Sequence, residues 1–222
     1  MHKVENCTLI GTSHISPESV KLVKKTILEI EPAVVAIELD KGRFLSLMGK
    51  KQKFQVKDVM KLGIRGTLFM LFGALLEERL GRIVKTKPGT EMKAAVRAAA
   101  KVKSKLALVD QPIQITIKRL FKAITWREKF RFIGDLLKGL VGIGPRIEGF
   151  DLRKVPSDEL IEKMIGLVQE RYPSVYKVLI DERNKYMSKR LRRVMKENPD
   201  GEIVAVVGAG HVKGMLEILS KN

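Results

Sequence analysis

The sequence is poor in cysteine and in aromatic residues, and it has no long apolar run. Its single cysteine, Cys7, excludes a disulfide framework and a cluster of thiolate ligands around a metal. Aromatic side chains make up only 5% of the 222 residues, which argues against a base-stacking platform for single-stranded nucleic acid. The longest apolar run, at 66–76, is shorter than the about 20 residues that cross a bilayer. We expect a buried helix there, with an interfacial helix as the alternative.

Acidic residues are also scarce relative to basic ones. The chain holds 43 lysines and arginines against 25 aspartates and glutamates, a formal net charge of +18. This excess predicts attraction to polyanions, such as an anionic membrane surface, an acidic ligand or nucleic acid. No nucleic-acid recognition motif accompanies the charge, so we do not expect nucleic acid as a partner. No secretory signal opens the chain, which favours a cytoplasmic location.

The apolar pattern predicts an α/β fold. Buried strands rich in β-branched residues are predicted at 7–10, 33–40, 105–110 and 202–207, and amphipathic helices at 17–30, 90–102, 157–171 and 173–196. The opening strand–helix–strand order favours parallel strands, hence a mostly parallel central sheet with flanking helices. Two segments, about 41–88 and 112–170, interrupt this order and are interpreted as an inserted helical layer within the single domain 1–222.

Two of the three histidines close the same short motif near opposite ends of the chain. The stretches GTSH and GAGH each place a glycine just after a predicted strand and a histidine three residues later. Glycine permits the sharp turn there, and small residues let the backbone approach a ligand. Because the carboxyl ends of parallel strands share one edge of a sheet, we expect His14 and His211 to lie in one pocket. The candidate substrate-binding glycines are Gly11, Gly208 and Gly210.

Carboxylates follow the other predicted strands at the same edge: Glu38 and Asp40 after the second, Asp110 after the third. An unpaired carboxylate at a buried strand end is costly, so Glu38 needs a partner. Two imidazoles and a carboxylate form a three-ligand site for a metal that activates water, and Mn, Co, Zn or Fe suits such ligands. The alternatives are a metal-free general base and histidines with a purely structural role.

The helix predicted at 173–196 carries a further candidate. One face of this helix is formed by Val175, Leu179, Glu182 and Tyr186. Glu182 therefore lies in an apolar stripe. It either turns toward the site with Arg183 beside it, or pairs within the helix with Lys185 or Tyr186.

The order of motifs along nearly the whole chain resembles the TraB/PrgY family, its archaeal members above all. The resemblance rests on the stretch at 11–44, on PGTEMKAAVRAAAKVKSKLALVD, on DERNKYM and on VAVVGAGHVKGM. The family hallmark, two GxxH motifs and a glutamate, falls on His14, His211 and Glu38. The resemblance extends to the Tiki metalloproteases and to ChaN-like and erythromycin-esterase-like domains, and it implies an α/β fold with the site at the edge of the sheet.

The resemblance also implies roles for other residues. Glu38 and Glu182 or Glu91 would serve catalysis, Arg43 would bind a carboxylate or an oxyanion, and Arg119 and Arg183 would bind substrate. The family pocket residues fall here on Arg43, Glu91, Arg119, Glu182 and Arg183. Asp110-Gln111 departs from the Asp-Arg of many relatives, so no basic role is expected there.

These observations together predict a divalent-metal-dependent hydrolase (Mn, Co or Zn) that acts on peptides. The alternative is a non-catalytic domain that binds a peptide or an anion in a membrane-associated regulatory protein, because relatives linked to pheromone shutdown fit sequestration as well as cleavage. Many relatives continue into membrane-spanning helices, so the resemblance implies a membrane-anchored cytoplasmic domain with such a region beyond residue 222. We also expect that two copies of the chain pair through the apolar helix at 66–76 to form a homodimer.

Overall fold

The computed structural model describes residues 1–13, 17–49, 89–140 and 158–221. The strands in these ranges are β1 (His2–Val4), β2 (Cys7–Thr12), β3 (Val34–Ile37), β4 (Lys105–Leu108) and β5 (Ile203–Gly208). They form one sheet in the order β1-β2-β5-β3-β4. β1 pairs antiparallel with β2, and every other pairing is parallel. The predicted, mostly parallel sheet is confirmed.

Helices cover both faces of this sheet. The helices of the described residues are α1 (Pro17–Ile30), α2 (Lys41–Leu47), α3 (Thr90–Lys101), α4 (Ile113–Ala123), α5 (Trp126–Leu140), α6 (Asp158–Arg171), α7 (Pro173–Tyr176), α8 (Glu182–Glu197) and α9 (Ala209–Leu219). α1 and α3 pack on one face, and α8 and α9 pack on the other. The predicted α/β class with flanking helices is therefore confirmed.

The two neighbouring strands β5 and β3 are buried on both faces, which is why they show no polar alternation. Every residue of β3 and of β5 is buried. Along β5, Ile203 and Ala205 pack in the core beneath α8 and α9, whereas Val204 and Val206 pack in the core beneath α1 and α3. Strands covered by helices on both sides are typical of parallel sheets.

Small side chains and a neutral thiol complete these cores. Ala95, Ala98 and Ala99 of α3 are buried, which lets α3 approach α1 and the sheet closely. Cys7 is fully buried in β2, and its burial, with the nearby charge of Glu202, raises its pKa to about 12. The thiol therefore stays protonated at neutral pH and is a packing group rather than a nucleophile.

The segment predicted as one helix at 173–196 is helical but changes phase. A π-helical turn, Lys177–Asp181, joins α7 to α8. One extra residue rotates the following helix by about 100°, so a face drawn at α-helical spacing across the turn does not persist. The buried face of α8 consists instead of Asn184, Met187, Ser188, Leu191 and Met195.

The inserted segments are described in part. α2 begins the first, and α4, α5 and α6 belong to the second. The apolar run at 66–76 lies outside the described residues, and so does the homodimer contact predicted through it. None of the helices in the described ranges combines the length and the apolar character that a membrane crossing requires.

Candidate functional site

The carboxyl ends of β3, β4 and β5 bring buried polar residues to one edge of the sheet. Glu38 and Asp40 follow β3, Asp110 follows β4, and His211 lies in the first turn of α9 after β5. All four are at most 5% exposed. Strand-end positions distant in sequence therefore meet where a parallel sheet places its ligand sites.

Glu38 is held from two sides. Its Oε2 accepts a hydrogen bond from the backbone N–H of Gly208 at 2.5 Å. Its Oε1 accepts one from Nη2 of Arg183. A buried carboxylate needs partners, and Glu38 has two: a main-chain donor on β5 and a guanidinium on α8.

His211 lies between an amide and a carboxylate. Its Nδ1 is 2.7 Å from Oδ1 of Asn184, and its Nε2 is 3.5 Å from Oε1 of Glu38. An amide oxygen only accepts, so Nδ1 carries the hydrogen and the lone pair of a neutral ring lies on Nε2, toward Glu38. Two acceptors facing each other favour a proton or a cation between them, which is the arrangement expected of two ligands of one metal.

Two glycines fix the position of α9. A Cβ on Gly214 would lie 3.2 Å from Cγ of Asn184 and closer still to its Nδ2, so only glycine leaves room for the amide. A Cβ on Gly11 would lie 2.9 Å from Cγ2 of Val212, so β2 and α9 are in direct contact there. The structure thus gives Gly11 a packing role beside the site.

The other two candidate glycines differ in what they offer. Gly208 contributes its N–H to Glu38. Gly210 lines a cavity of about 580 Å³ between α6 and α9. A Cβ added to Gly210 would lie 3.5 Å from Cδ1 of Ile165, which is an ordinary van der Waals contact. Asn184 also lines this cavity, so the residue that holds His211 borders both the site and the cavity.

A series of ion pairs, in which carboxylates alternate with guanidiniums, lies along the same edge of the sheet. Asp110 accepts hydrogen bonds from Nε and Nη2 of Arg183, at 3.1 and 2.7 Å, and another from Nη2 of Arg43. Nε of Arg43 in turn donates to Oδ2 of Asp40 at 2.7 Å. With Glu38 the series contains three carboxylates and two guanidiniums, which leaves one formal negative charge in excess.

This series has a structural origin, and its contacts shift the pKa of Asp110 and of Arg183. Oδ1 of Asp40 caps α2 by accepting from the N–H of Gly42 at 2.7 Å, which places Arg43 beside Asp110. Burial alone would raise the pKa of Asp110, but the hydrogen bonds and charges of Arg183 and Arg43 outweigh it and hold that pKa below its ordinary value. Burial lowers the pKa of Arg183, and its bonds to Asp110 and Glu38 more than restore it.

Glu182 and Arg119 form a separate ion pair outside this series. Nε of Arg119 donates to Oε2 of Glu182 at 2.9 Å, and Nη2 donates to Oε1. This pairing lowers the pKa of Glu182. Lys185 pairs with Asp181 at 2.9 Å, and Glu182 pairs with Arg119 of α4 rather than taking the alternative of a pair with Lys185 within the helix.

The remaining candidates are placed as follows. Glu91 is fully buried in the first turn of α3. Gln111, where many relatives carry arginine, donates Nε2 to Oγ1 of Thr116 at 3.0 Å and so ties the end of β4 to α4. His14 lies outside the described residues. Within the ranges that are described, no three His, Cys, Asp or Glu side chains form a group suited to a metal ion, and the proposed ligand set is represented there by Glu38 and His211.

Sequence reasoning missed Asn184. It is 4% exposed and belongs to the buried face of α8 with Met187 and Leu191. A polar residue at i, in register with apolar residues at i+3 and i+7, is the signal that points to it. The face drawn through Glu182 obscured that signal.

Comparison with known proteins places the chain in a family. The model of the TraB/PrgY/gumN family matches residues 2–222. An uncharacterized protein of Methanocaldococcus jannaschii is 37% identical over 218 residues, covering 96% of this chain and 53% of the relative. A TraB domain-containing protein of Homo sapiens is 30% identical over 237 residues, covering 93% of this chain and 61% of the relative. The chain thus spans between half and two thirds of the length of these relatives, and it belongs to the TraB/PrgY/gumN family.

Proposed function

We propose that this chain is a divalent-metal-dependent hydrolase that acts on peptides, with Glu38, His211 and His14 as metal ligands. The observation that carries the proposal is the 3.5 Å separation of Nε2 of His211 from Oε1 of Glu38. An imidazole nitrogen and a carboxylate oxygen suit Mn, Co or Zn. When bound, such a cation supplies Lewis acidity, which polarises a carbonyl and acidifies water.

The surrounding residues orient these two groups. Asn184 fixes the His211 tautomer, so that Nε2 is available on the side of Glu38. Arg183 and the N–H of Gly208 hold the carboxylate of Glu38 in place. Partners that orient a ligand reduce the reorganisation needed when a cation binds.

Arg43 is poorly suited to bind substrate, because its Nε and Nη2 donate to the buried carboxylates of Asp40 and Asp110. Arg119 is better suited. Its side chain is half exposed, and its single ion-pair partner among the described contacts is Glu182. Exposed pairs are weak and exchange readily, so a peptide carboxylate can replace Glu182 on Arg119. We therefore assign substrate binding to Arg119. When a peptide carboxylate replaces Glu182 on Arg119, the carboxylate of Glu182 is released, and we assign proton transfer to it. Glu91 is the alternative proton-transfer group.

The test is peptide hydrolysis by chelator-treated protein after addition of Mn²⁺, Co²⁺ or Zn²⁺. We expect turnover in the wild type and its loss in Glu38→Gln and His211→Ala. Glu202→Gln is a matched control, because Glu202 directly precedes β5 and pairs with Lys3 away from the carboxyl ends of the strands, where the site lies. Absence of turnover with every metal, or equal turnover in the site variants, would refute the proposal.

One observation favours a binding module instead. Both oxygens of Glu38 already accept hydrogen bonds, from Gly208 and from Arg183, which is compatible with a purely structural carboxylate. Mass spectrometry of peptide after incubation distinguishes the two functions. Fragments support hydrolysis, whereas intact peptide that co-elutes with the protein supports binding.

A further inference from the structure

The apolar stripe of α5 faces solvent. Trp126, Phe130 and Ile133 recur at i, i+4 and i+7, and they are 62%, 68% and 52% exposed. A helix on the surface of a domain normally turns such a stripe toward the core. Three large apolar side chains on one exposed stripe indicate an interaction surface rather than isolated surface residues.

The opposite side of α5 is fixed to the protein by its acidic residues. Glu128 is 4% exposed, and it accepts hydrogen bonds from the N–H of Thr125 at 2.9 Å and from the N–H of Ser174 at 2.7 Å. Asp135 accepts from Nε of Arg171 at 2.6 Å. The helix therefore cannot roll its stripe inward without breaking these contacts.

Cations border the stripe on both sides. Arg127 and Lys138 are exposed and lie about 100° from the centre of the stripe on one flank, at helical spacing. Arg131 lies further round the helix, where its Nη1 donates to the carbonyl oxygen of Arg171 at 2.6 Å. On the other flank, Nζ of Lys129 lies 4.4 Å from the ring centroid of Trp126. With Glu128 and Asp135 turned toward the protein, the charges that border the exposed face of α5 are positive.

We propose that this face, composed of Trp126, Phe130 and Ile133 with the flanking Arg127, Lys129 and Lys138, docks on an anionic membrane surface. Apolar side chains between cations are the pattern of a helix that lies in the membrane interface. The stripe enters the headgroup region and the cations meet lipid phosphates and carboxylates. A second copy of the chain is a poorer occupant, because pairing this face with itself would bring like charges together.

The single tryptophan makes docking directly observable. Trp126 is the only tryptophan in the chain, so its emission reports this face alone. We expect a blue shift and co-sedimentation with vesicles of phosphatidylcholine and phosphatidylserine, and neither with phosphatidylcholine alone. Salt should weaken binding, because exposed charges are screened.

Variants assign the binding to α5. Phe130→Ser/Ile133→Ser should lower partitioning by about tenfold or more, since two apolar side chains no longer enter the interface. Arg127→Gln/Lys138→Gln should lower it by about fivefold for each charge removed. The matched controls are Ile115→Ser, an exposed apolar residue of α4, and Lys189→Gln/Arg193→Gln, an exposed basic pair of α8; both should bind like the wild type.

Three outcomes would overturn the proposal. The first is no binding to anionic vesicles. The second is binding that the α5 variants leave unchanged or that the α8 pair abolishes, which would place the membrane contact elsewhere. The third is a dimer in analytical ultracentrifugation that Phe130→Ser/Ile133→Ser dissociates, which would make a second copy the occupant. Circular dichroism checks that each variant is folded, as expected for exposed positions.

Discussion

Asn184 holds the ring of His211 through a bond of 2.7 Å between Oδ1 and Nδ1. The two residues come from α8 and α9, which pack together on one face of the sheet. The amide decides which ring nitrogen of His211 faces Glu38. Asn184 therefore acts on the site through His211, and none of the described hydrogen bonds joins it to Glu38.

Removing this amide should change the tautomer of His211. In Asn184→Ala we expect a mixture of Nδ1–H and Nε2–H forms in long-range ¹H–¹⁵N spectra of the metal-free protein, where the wild type shows Nδ1–H. Metal affinity should fall by about 10- to 100-fold, the usual effect of losing such a partner. Asn198→Ala, at the far end of α8, is the control and should leave the tautomer unchanged. An unaltered His211 spectrum in Asn184→Ala would contradict this assignment.

Gly214 should be intolerant of any side chain. Its replacement by alanine forces Asn184 away from His211, since the added Cβ would lie too close to the amide. We expect Gly214→Ala to lower the free energy of unfolding by about 1–3 kcal/mol and to reproduce the tautomer change of Asn184→Ala. Gly166→Ala in α6 is the control: its Cβ would meet no atom within 4 Å, and it should stabilise the protein by about 0.5–1 kcal/mol. Equal unfolding free energies for the two variants in urea would show that Gly214 is not a steric requirement.

Arg183 should be the most sensitive residue of the charged series. Its guanidinium serves Glu38 and Asp110 together, so Arg183→Met leaves two buried carboxylates without a shared cation. We expect a loss of about 3–5 kcal/mol in unfolding free energy. Arg183→Lys should recover little, because an ammonium group cannot reproduce a fork that spans two acids. Full recovery of stability by lysine in urea titrations would argue against that geometry.

Asp110 should make the protein sensitive to acid. Its pKa in the folded state is below its ordinary value, so its contribution is fully present above the unfolded pKa of about 3.9 and is lost as the pH falls below that value. We expect the difference in unfolding free energy between the wild type and Asp110→Asn to be largest near neutral pH and to shrink below about pH 4. A difference that stays constant from neutral to acid pH would show that the Asp110 charge is not what stabilises the fold.

The meeting of Glu38 and His211 was predictable from the sequence. The strand-end rule needs the positions of the strands, which follow from the continuous apolar runs, and their parallel direction, which follows from the strand–helix–strand order. Gly208 contributes its main-chain N–H to Glu38, whereas the sequence predicted only that small residues there let the backbone approach a ligand. β1 was not predicted, because its three residues are too few to show a pattern.

The supporting contacts were not predictable in the same way. Arg183 and Arg43 were expected near the site through the family resemblance, but their shared partner Asp110 lies 73 and 67 residues away along the chain. Long-range side-chain pairs of this kind leave no local pattern. Asn184 was missed because the π turn shifts the phase of α8, so the face extrapolated from α7 is not the buried one.

The most direct test of the account is equilibrium binding of Mn²⁺, Co²⁺ and Zn²⁺ to the metal-free chain, measured by titration calorimetry. The proposed site predicts saturable binding by the wild type and by Glu202→Gln, and affinity lower by at least about tenfold in Glu38→Gln and His211→Ala. Binding that is absent for all three metals, or equally tight in the four proteins, would contradict the claim that Glu38 and His211 form one metal centre.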